Sequence, residues 1–491
     1  AGWTNPFEQA YVTKYDANGT PLWAADGGGS GNDNATGVAI DGHGNAYVTG
    51  YYSDTASFDG NLLTDGRGRA LFLAKYDPNG NLLWVESAGS PTENFSCEAT
   101  AVTVDDVGNC YVAGHYSQEA YFDGTNYSDL GVNGSVAFIA KYDNMGNFLW
   151  ITRFDGMYGK GITDIALSAD GTWLSILGNY TDFMNIENML LDSAASYPNS
   201  LANTKFVAAL DTSGQPLWVS RIADRLSNKS DLSGLALDDN GNAYITGILK
   251  WRLDFGGGTV ISIDTTLSNT YWDIFTAKYN SNGDLQWARG YWTEDDSRGQ
   301  AITLDAAGNP YIAGTYEGEM VLGNSTLLSG NPSLFIARLD TDGEPVWAHG
   351  AQSTITSTTA IVAPATDEVI LTGDWISFVQ FPPHNPTHAG LSDTYLLKYS
   401  RGGTSADGEL PTGALTVFPN PATNQVWIEA RDVNTKGMVV QLIDMTGKMV
   451  VHRPWSGTQM EISTDKLPDG IYMISVSGAA GRFTGRLAVQ H

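Results

Sequence analysis

The residues able to do chemistry are numerous but sparsely patterned. The 54 acids in 491 residues make chance carboxylate pairs inevitable, and a pair facing across a channel would serve glycoside hydrolysis. No pair stands out from its surroundings. His384 and His388 lie four apart, a spacing that on a helix would aim two imidazoles at one metal, but Pro382, Pro383 and Pro386 forbid the helix. The sequence holds no His-Glu-x-x-His and no Cys-x-x-Cys. Gly27-Gly28-Gly29-Ser30-Gly31 has the composition of a phosphate loop, yet it lies between two strand-like runs instead of opening a helix, and reads as a loop between structural units. Turns such as Asp238-Asp239-Asn240-Gly241-Asn242 and Asp340-Thr341-Asp342-Gly343-Glu344 place oxygen ligands at calcium-like spacing. They lack the length and terminal bidentate glutamate of an EF-hand loop. Calcium is one reading and a recurrent turn device the other. No catalytic, cofactor-binding or metal-binding residue is assigned.

What would position any such residues is a repeat. One phrase, ending Lys-Tyr-Asp, then a Gly turn, then Trp, occurs at Lys14-Tyr15-Asp16 with Gly19 and Trp23, at Lys75-Tyr76-Asp77 with Gly80 and Trp84, and at Lys141-Tyr142-Asp143 with Gly146 and Trp150. It returns before Trp218, Trp287 and Trp347, and Lys398-Tyr399-Ser400 is a half-copy without tryptophan. Successive tryptophans are 61, 66, 68, 69 and 60 residues apart. Between the copies sits a second phrase, Val38-Ala39-Ile40-Asp41, then Gly44-Asn45-Ala46-Tyr47-Val48-Thr49-Gly50. It recurs from Val102, Ile165, Leu235, Ile302 and Ile361, the last with Ala365-Thr366-Asp367 in place of the glycine turn.

Each repeat therefore encodes two hairpins. Alternating apolar and polar positions give strands, and the Asp-x-x-Gly turns reverse them. Four strands in a unit of this length, repeated about six times, predict an all-β chain headed by a β-propeller, six blades being favoured and seven the alternative. Five complete blades run from about 36 to 351, and a sixth has strands near 357–375 and 393–399. Residues 9–26 supply its missing outer strand, which leaves Tyr11–Tyr15 and Tyr395–Tyr399 competing for one place. Tryptophans at one point of every unit read as blade packing, not as sugar platforms. Trp251, Tyr271-Trp272, Tyr291-Trp292 and Trp375 fall outside the pattern and are better ligand candidates.

Hydrophobic residues make up 42%, enough for a core, and no apolar run approaches the ~18 residues of a membrane helix. The net charge of −28 argues against nucleic acid and anionic membranes as partners. Six acids and seven bases from Ala414 onward leave 48 acids and 19 bases before it, a net −29, so a nearly neutral tail follows an acidic body. The expected domains are a propeller over 1–400, a flexible linker over 401–413 and a small β-sandwich over 414–491, the last from seven short alternating runs. The sequence starts at Ala1 without methionine, so a removed signal peptide or a trimmed chain is expected.

The repeat phrases resemble those of secreted bacterial β-propellers found in large surface proteins. Three motifs in the tail, Phe418-Pro419-Asn420-Pro421, Asp444-Met445-Thr446-Gly447-Lys448 and Leu467-Pro468-Asp469-Gly470-Ile471-Tyr472, resemble the type A C-terminal sorting domain of the type 9 secretion system of Bacteroidota. Pro419, Asn420, Pro421, Asp444, Gly447, Leu467, Pro468, Gly470 and Tyr472 carry that resemblance. The ending Val489-Gln490-His491 departs from the basic last strand usual in the family. The resemblance implies export to the surface or medium, with the type 9 machinery as partner and no membrane insertion. It also implies O-glycosylation at Asp-Ser/Thr sites, here Thr55, Ser193 and Thr265, expected in loops between the second and third strands of their blades.

The leading expectation is a non-enzymatic surface protein in adhesion, surface structure or assembly. The alternative is a secreted glycan-binding protein or a polysaccharide- or protein-degrading enzyme. The charge contrast adds a further expectation, that the tail domain docks on its own or a neighbour's propeller, the second case giving self-association or filaments. Cys97 and Cys110 are expected as free thiols. With Val104 opposite Asn109 across the turn, they lie about six strand residues apart, near ~20 Å, beyond the ~7 Å limit for a disulfide.

Overall fold

In four repeats the first hairpin closes on a turn that its own aspartate builds, while in the repeat from Ile165 Ser168 takes that place. Asp41 Oδ1 accepts the N–H groups of His43 and Asn45, both at 2.9 Å, and Oδ2 accepts Asn45 Nδ2 at 2.8 Å. Gly44 takes φ +80°, a backbone state that a β-carbon resists. Asp105, Asp238 and Asp305 repeat the arrangement with Asn109, Asn242 and Asn309.

The computed structural model describes residues 8–90, 92, 95–128, 135–159, 161–181, 183–186, 189–192, 203–224, 230–256, 258–262, 271–355, 357–380, 393–401, 415–431, 435–436, 438–444, 449–478 and 481–491. Every regular element among them is a strand. The chain divides into two compact units, residues 1–270 with 274–290, and residues 271–273 with 291–491.

The first unit starts with a hairpin, Ala10–Tyr15 and Pro21–Gly29. Four propeller blades follow, each a four-stranded antiparallel sheet. Blade 1 is Asn34–Ile40, Ala46–Phe58, Asn61–Tyr76 and Leu82–Ala88, and blade 2 is Cys97–Val104, Cys110–Ser117, Ser135–Tyr142 and Phe148–Gly159. Blade 3 is Gly161–Leu167, Trp173–Thr181, Asn203–Asp211 and Pro216–Asp224, and blade 4 is Asp231–Leu237, Ala243–Leu249, Asp273–Tyr279 and Leu285–Tyr291. In the second unit, blade 5 is Ser297–Leu304, Pro310–Leu322, Ser325–Leu339 and Pro345–Gly350. The sixth sheet has Ala360–Ala365, Glu368–Gln380 and Asp393–Ser400, joined by Gln352–Ile355. The surplus strand expected from sequence is thus present, since Ala10–Tyr15 and Asp393–Ser400 carry the same phrase.

Three devices join one blade to the next. The first is the repeat tryptophan, whose indole N–H donates to the next blade's outer turn: Trp23 to the Pro78 carbonyl at 3.0 Å, Trp84 to Asn144 at 3.1 Å and Trp218 to Ser281 at 2.9 Å. These rings are blade packing, as their spacing implies. The second is a bulge in each inner strand. Thr36 and Thr100 sit at such bulges, and their hydroxyls donate to the carbonyls of Ala99 and Ile162 on the following blade, at 2.9 and 2.7 Å. The third is an arm grown from the hairpin of the second and third strands, whose tip pairs with the outer strand of the preceding blade. Ala56–Phe58 pair with Gly27–Gly29, Ile186 with Phe154, and Asp254 with Ala223. This accounts for the glycine run. A β-carbon on Gly27 or Gly29 would collide with the Phe58 ring or the Thr55 carbonyl, so the run is a strand lying under an arm, not an open loop.

The expected register at the cysteines is off by one. The Asp105 N–H donates to the Asn109 carbonyl at 3.0 Å inside the turn, which sets Val104 opposite Cys110. Cys97 pairs with Tyr116, far up the same sheet, and both thiols are free and buried.

The seven tail strands form two sheets. Leu415–Phe418, Gln425–Ala430 and Gln459–Ser463 make one, and Met438–Asp444, Met449–Trp455, Gly470–Gly478 and Gly481–Val489 the other. Val426, Ile428, Val440, Leu442, Ile462, Ile474, Val476 and Leu487 fill the space between them, one residue in two along each strand, as a two-layer core requires. Residues 402–414, most of the expected linker, lie outside the described residues.

Candidate functional site

The three tail motifs, far apart in sequence, meet around the final strand. Phe418–Pro419 and Asn420–Pro421 are both cis peptides. Asn420 holds the strand Gly481–Val489 through its amide: Nδ2 donates to the Arg486 carbonyl at 2.8 Å and Oδ1 accepts the Ala488 N–H at 2.9 Å. Beyond Pro421, the Ala422 N–H donates to the Ala488 carbonyl at 2.7 Å, and the Gln490 N–H donates to the Ala422 carbonyl at 2.9 Å. Tyr472 lies opposite Leu487 on one side and Asp444 on the other. Its hydroxyl donates to the Pro468 carbonyl at 2.8 Å, which folds the Leu467–Gly470 turn under the sheet. Burial, with Asp444 and Asp469 nearby, raises the Tyr472 phenol above its ordinary range. Asp469 accepts the His491 N–H at 3.0 Å and lies 2.7 Å from His491 Nδ1, contacts that hold its carboxyl below the usual range. Gly447 lies outside the described residues. The arrangement fixes the shape and ends of the last strand, an edge strand with Leu487 and Val489 buried.

Residues 416–490 match the secretion system C-terminal sorting domain family. This segment is a type IX sorting domain. The protein is accordingly secreted or displayed at the cell surface by that system. An uncharacterised WD repeat-containing protein of Acanthamoeba polyphaga mimivirus is 22% identical over 440 residues, covering 74% of this chain, and the chain spans 31% of that relative's length. Among solved structures, PorZ, an essential surface component of the type IX secretion system of Porphyromonas gingivalis, aligns over 99% of this chain and 85% of its own, at 12% identity and a TM-score of 0.20. A puromycin hydrolase aligns over 81% of this chain and 58% of its own, at 10% identity and a TM-score of 0.35. Likenesses this distant say nothing of what the blades do.

The sequence candidates in the blades fall into place as follows. The acidic turns engage their own carboxylates: Asp238 accepts the N–H groups of Asn240 and Asn242 and the Asn242 amide, and Asp340 those of Asp342 and Glu344. At Asp77 the Asn81 amide and backbone N–H groups hold the carboxyl below its usual range. His384 and His388 lie outside the described residues. Of the odd aromatics, Tyr291 and Trp375 are buried anchors, Tyr291 donating its hydroxyl to Gly343 at 2.8 Å. Tyr271 and Trp292 are exposed, and Trp272 is covered by the Arg298 guanidinium 4.1 Å from a ring centroid. Thr55 is exposed, but on an arm strand and not in a loop. Pairing of the second and third strands continues out to Phe58 and Asn61, and Asp54, at φ +63°, makes a bulge beside Thr55. Ser193 and Thr265 lie outside the described residues.

A second constellation was missed in the sequence. Beyond the Gly of each second phrase, at the end of the blade opposite the aspartate turns, the cross-strand pairs differ in every blade. They are Asn34 with Tyr51, Glu98 with His115, Gly161 with Asn179, Asp231 with Ile248 and Arg298 with Thr315. The signal was available: one position past the glycine holds Tyr51, His115, Asn179, Ile248, Thr315 and Asp374 in turn. In blades 1 and 2 these side chains interact. Arg69 Nη1 lies 3.2 Å from Glu98 Oε1, and its guanidinium stands 4.6 Å above the Tyr51 ring.

Proposed function

We propose that the exported protein acts by binding, as a non-enzymatic surface propeller in adhesion, surface structure or assembly. The observation that carries this reading is the contrast between the two ends of the blades. At one end the same hydrogen-bonded turn recurs, built by an Asp–Asn pair in blades 1, 2, 4 and 5 and by Ser168 in blade 3, because the fold needs it. At the other, equivalent backbone positions carry five different residue pairs, so the fold does not dictate them, and a specific partner is what remains to do so. Two ionisable members of that face in the first unit, Arg69 and Glu98, are paired with each other, an arrangement suited to recognition.

The domain scheme that goes with this reading is a propeller over 1–400, a linker over 401–413 and the sorting sandwich over 414–491. Thr55, exposed at its bulge, is the described site for an O-glycan, which peptide mass spectrometry of protein from a Bacteroidota host would detect. Docking of the sandwich on its own propeller has support from one ion pair, between Arg486 of the last strand and Glu319 of the blade 5 arm.

The test is a surface-display comparison. Cells displaying the protein should adhere to a host or matrix surface that deletion cells do not, while purified full-length protein leaves polysaccharide and peptide panels uncut. Turnover of any of these substrates would replace the binding reading with the enzyme alternative.

A further inference from the structure

The arm of blade 4 leaves space beside the outer strand of blade 3. The arms of blades 1 and 3 each pair over three residues with the preceding outer strand, whereas that of blade 4 pairs over two, Ala223 with Asp254 and Asp224 with Leu253. Its strands, Arg252–Asp254 and Val260–Ser262, are three residues long, against four in the arms of blades 2 and 3. At its tip Phe255 packs on Phe275 with ring centroids 5.7 Å apart, and Gly256 and Gly258, at φ +82° and +89°, bring no side chain. A β-carbon on either glycine would meet nothing within 4 Å. The result is a cavity of about 550 Å³, open to solvent at the two exposed glycines and within the size range of small-ligand sites. Val219, Arg221 and Ala223, one face of the outer strand of blade 3, form one wall, and Asp254, Phe255 and the glycines form the other.

The lining sets the chemistry of what fits. Asp254 lies across from Ala223 and therefore diagonal to Arg221, about 7 Å away between β-carbons, so one small molecule reaches both. The Gly256 N–H donates to Asp254 Oδ1 at 3.0 Å and fixes the carboxyl beside the tip. Ser220 also touches the cavity, but its hydroxyl is committed to the Gly283 carbonyl at 2.8 Å. The guanidinium only donates and the carboxylate only accepts. A cation or an anion would meet one like charge there, while a hydroxyl group can accept from one partner and donate to the other. The apolar surface of Val219, Ala223 and Phe255 suits the C–H face of a pyranose ring, and the net −29 before residue 414 disfavours anions. We propose that the cavity between the outer strand of blade 3 and the arm of blade 4 binds a neutral saccharide, Arg221 donating to its hydroxyl oxygens and Asp254 accepting from its hydroxyl groups. This rests on the binding reading above and names a ligand class for it.

The test uses the full chain on an array of neutral hexose and N-acetylhexosamine oligosaccharides beside sialylated and uronic ones. Neutral glycans should bind. Arg221→Met, which removes the donors, and Ala223→Phe, which fills the cavity and leaves both charges, should each weaken binding at least tenfold. Arg153→Met, at the equivalent outer-strand position of blade 2, should bind as wild type. Should either cavity variant unfold early, the Gly256 and Gly258 amide resonances of wild-type protein give the same answer, since the bound oligosaccharide should shift them. Binding confined to anionic glycans, no glycan bound, equal binding by folded cavity variants, the same loss in Arg153→Met, or unmoved glycine amides would overturn the site. If the displaying cells still adhere, the broader binding reading survives that outcome; if they do not, both fall.

Discussion

Asn420 and Ala488 are 68 residues apart in the chain and 2.9 Å apart in the fold, the Ala488 N–H donating to Asn420 Oδ1. With the bond from Nδ2 to the Arg486 carbonyl, one amide replaces the neighbouring strand that an edge strand lacks. Asn420→Leu leaves that N–H and carbonyl unpaired, at roughly 1 kcal/mol each. Hydrogen exchange over 481–489 should then accelerate by one to two orders of magnitude while the blades exchange as before. Unchanged exchange there would remove Asn420 from the account.

Trp84 tests the packing of one blade on the next. Its indole N–H donates to the Asn144 carbonyl, and its ring lies on Gly146. Trp84→Phe should cost about 1 kcal/mol, the hydrogen bond alone, and Trp84→Ala about 3 kcal/mol, adding the lost ring contacts. Urea unfolding separates the two. Equal costs would mean the ring packs against nothing.

Asp164 gives a pH dependence of definite sign. Burial pushes its carboxyl up to about 7, against the N–H groups of Ile165 and Leu235, each donating at 2.9 Å, which favour the ionised form. A folded pKa above the unfolded one means that the folded state holds the proton more tightly, so stability is greatest below about pH 4 and is lost as pH rises to about 7. Asp164→Asn, which keeps an acceptor and carries no charge, should remove this component. The variant should be the more stable at pH 8, by on the order of 1–2 kcal/mol, with the gap closing near pH 4. A variant less stable than wild type at pH 8 would show that the N–H donors win over burial.

Cys97 and Cys110 are buried, and burial pushes both thiols far above their ordinary pKa. Alkylation without reductant should add nothing to the native mass and two groups after denaturation. A denatured mass with no added group would mean a disulfide.

Much of the architecture is legible because its causes are local. The Asp–Gly turns, the alternating runs and the tryptophan spacing each follow from backbone chemistry within a few residues, and they predict the four-strand units and the seven strands of the sandwich. The arms were not legible, since Gly27–Gly29 reads as a loop until the Phe58 arm that needs its close approach is in place. The register at Cys110 slipped by one because the Asp105–Asn109 bond lies inside the turn. The three sorting motifs could be recognised, but nothing in their spacing says that Asn420 reaches Arg486 and Ala488. The varied pairs at the far ends of the blades, Asn34 with Tyr51 or Glu98 with His115, show only when equivalent positions are compared across blades.

Surface delivery of the full chain tests the central claim most directly. In a Bacteroidota strain with a working type IX system, wild-type protein should be found at the surface or in the medium, and Asn420→Leu, with its last strand released, should accumulate in the periplasm as folded protein. Export of the variant at the wild-type level, or wild-type protein retained in the periplasm, would contradict it.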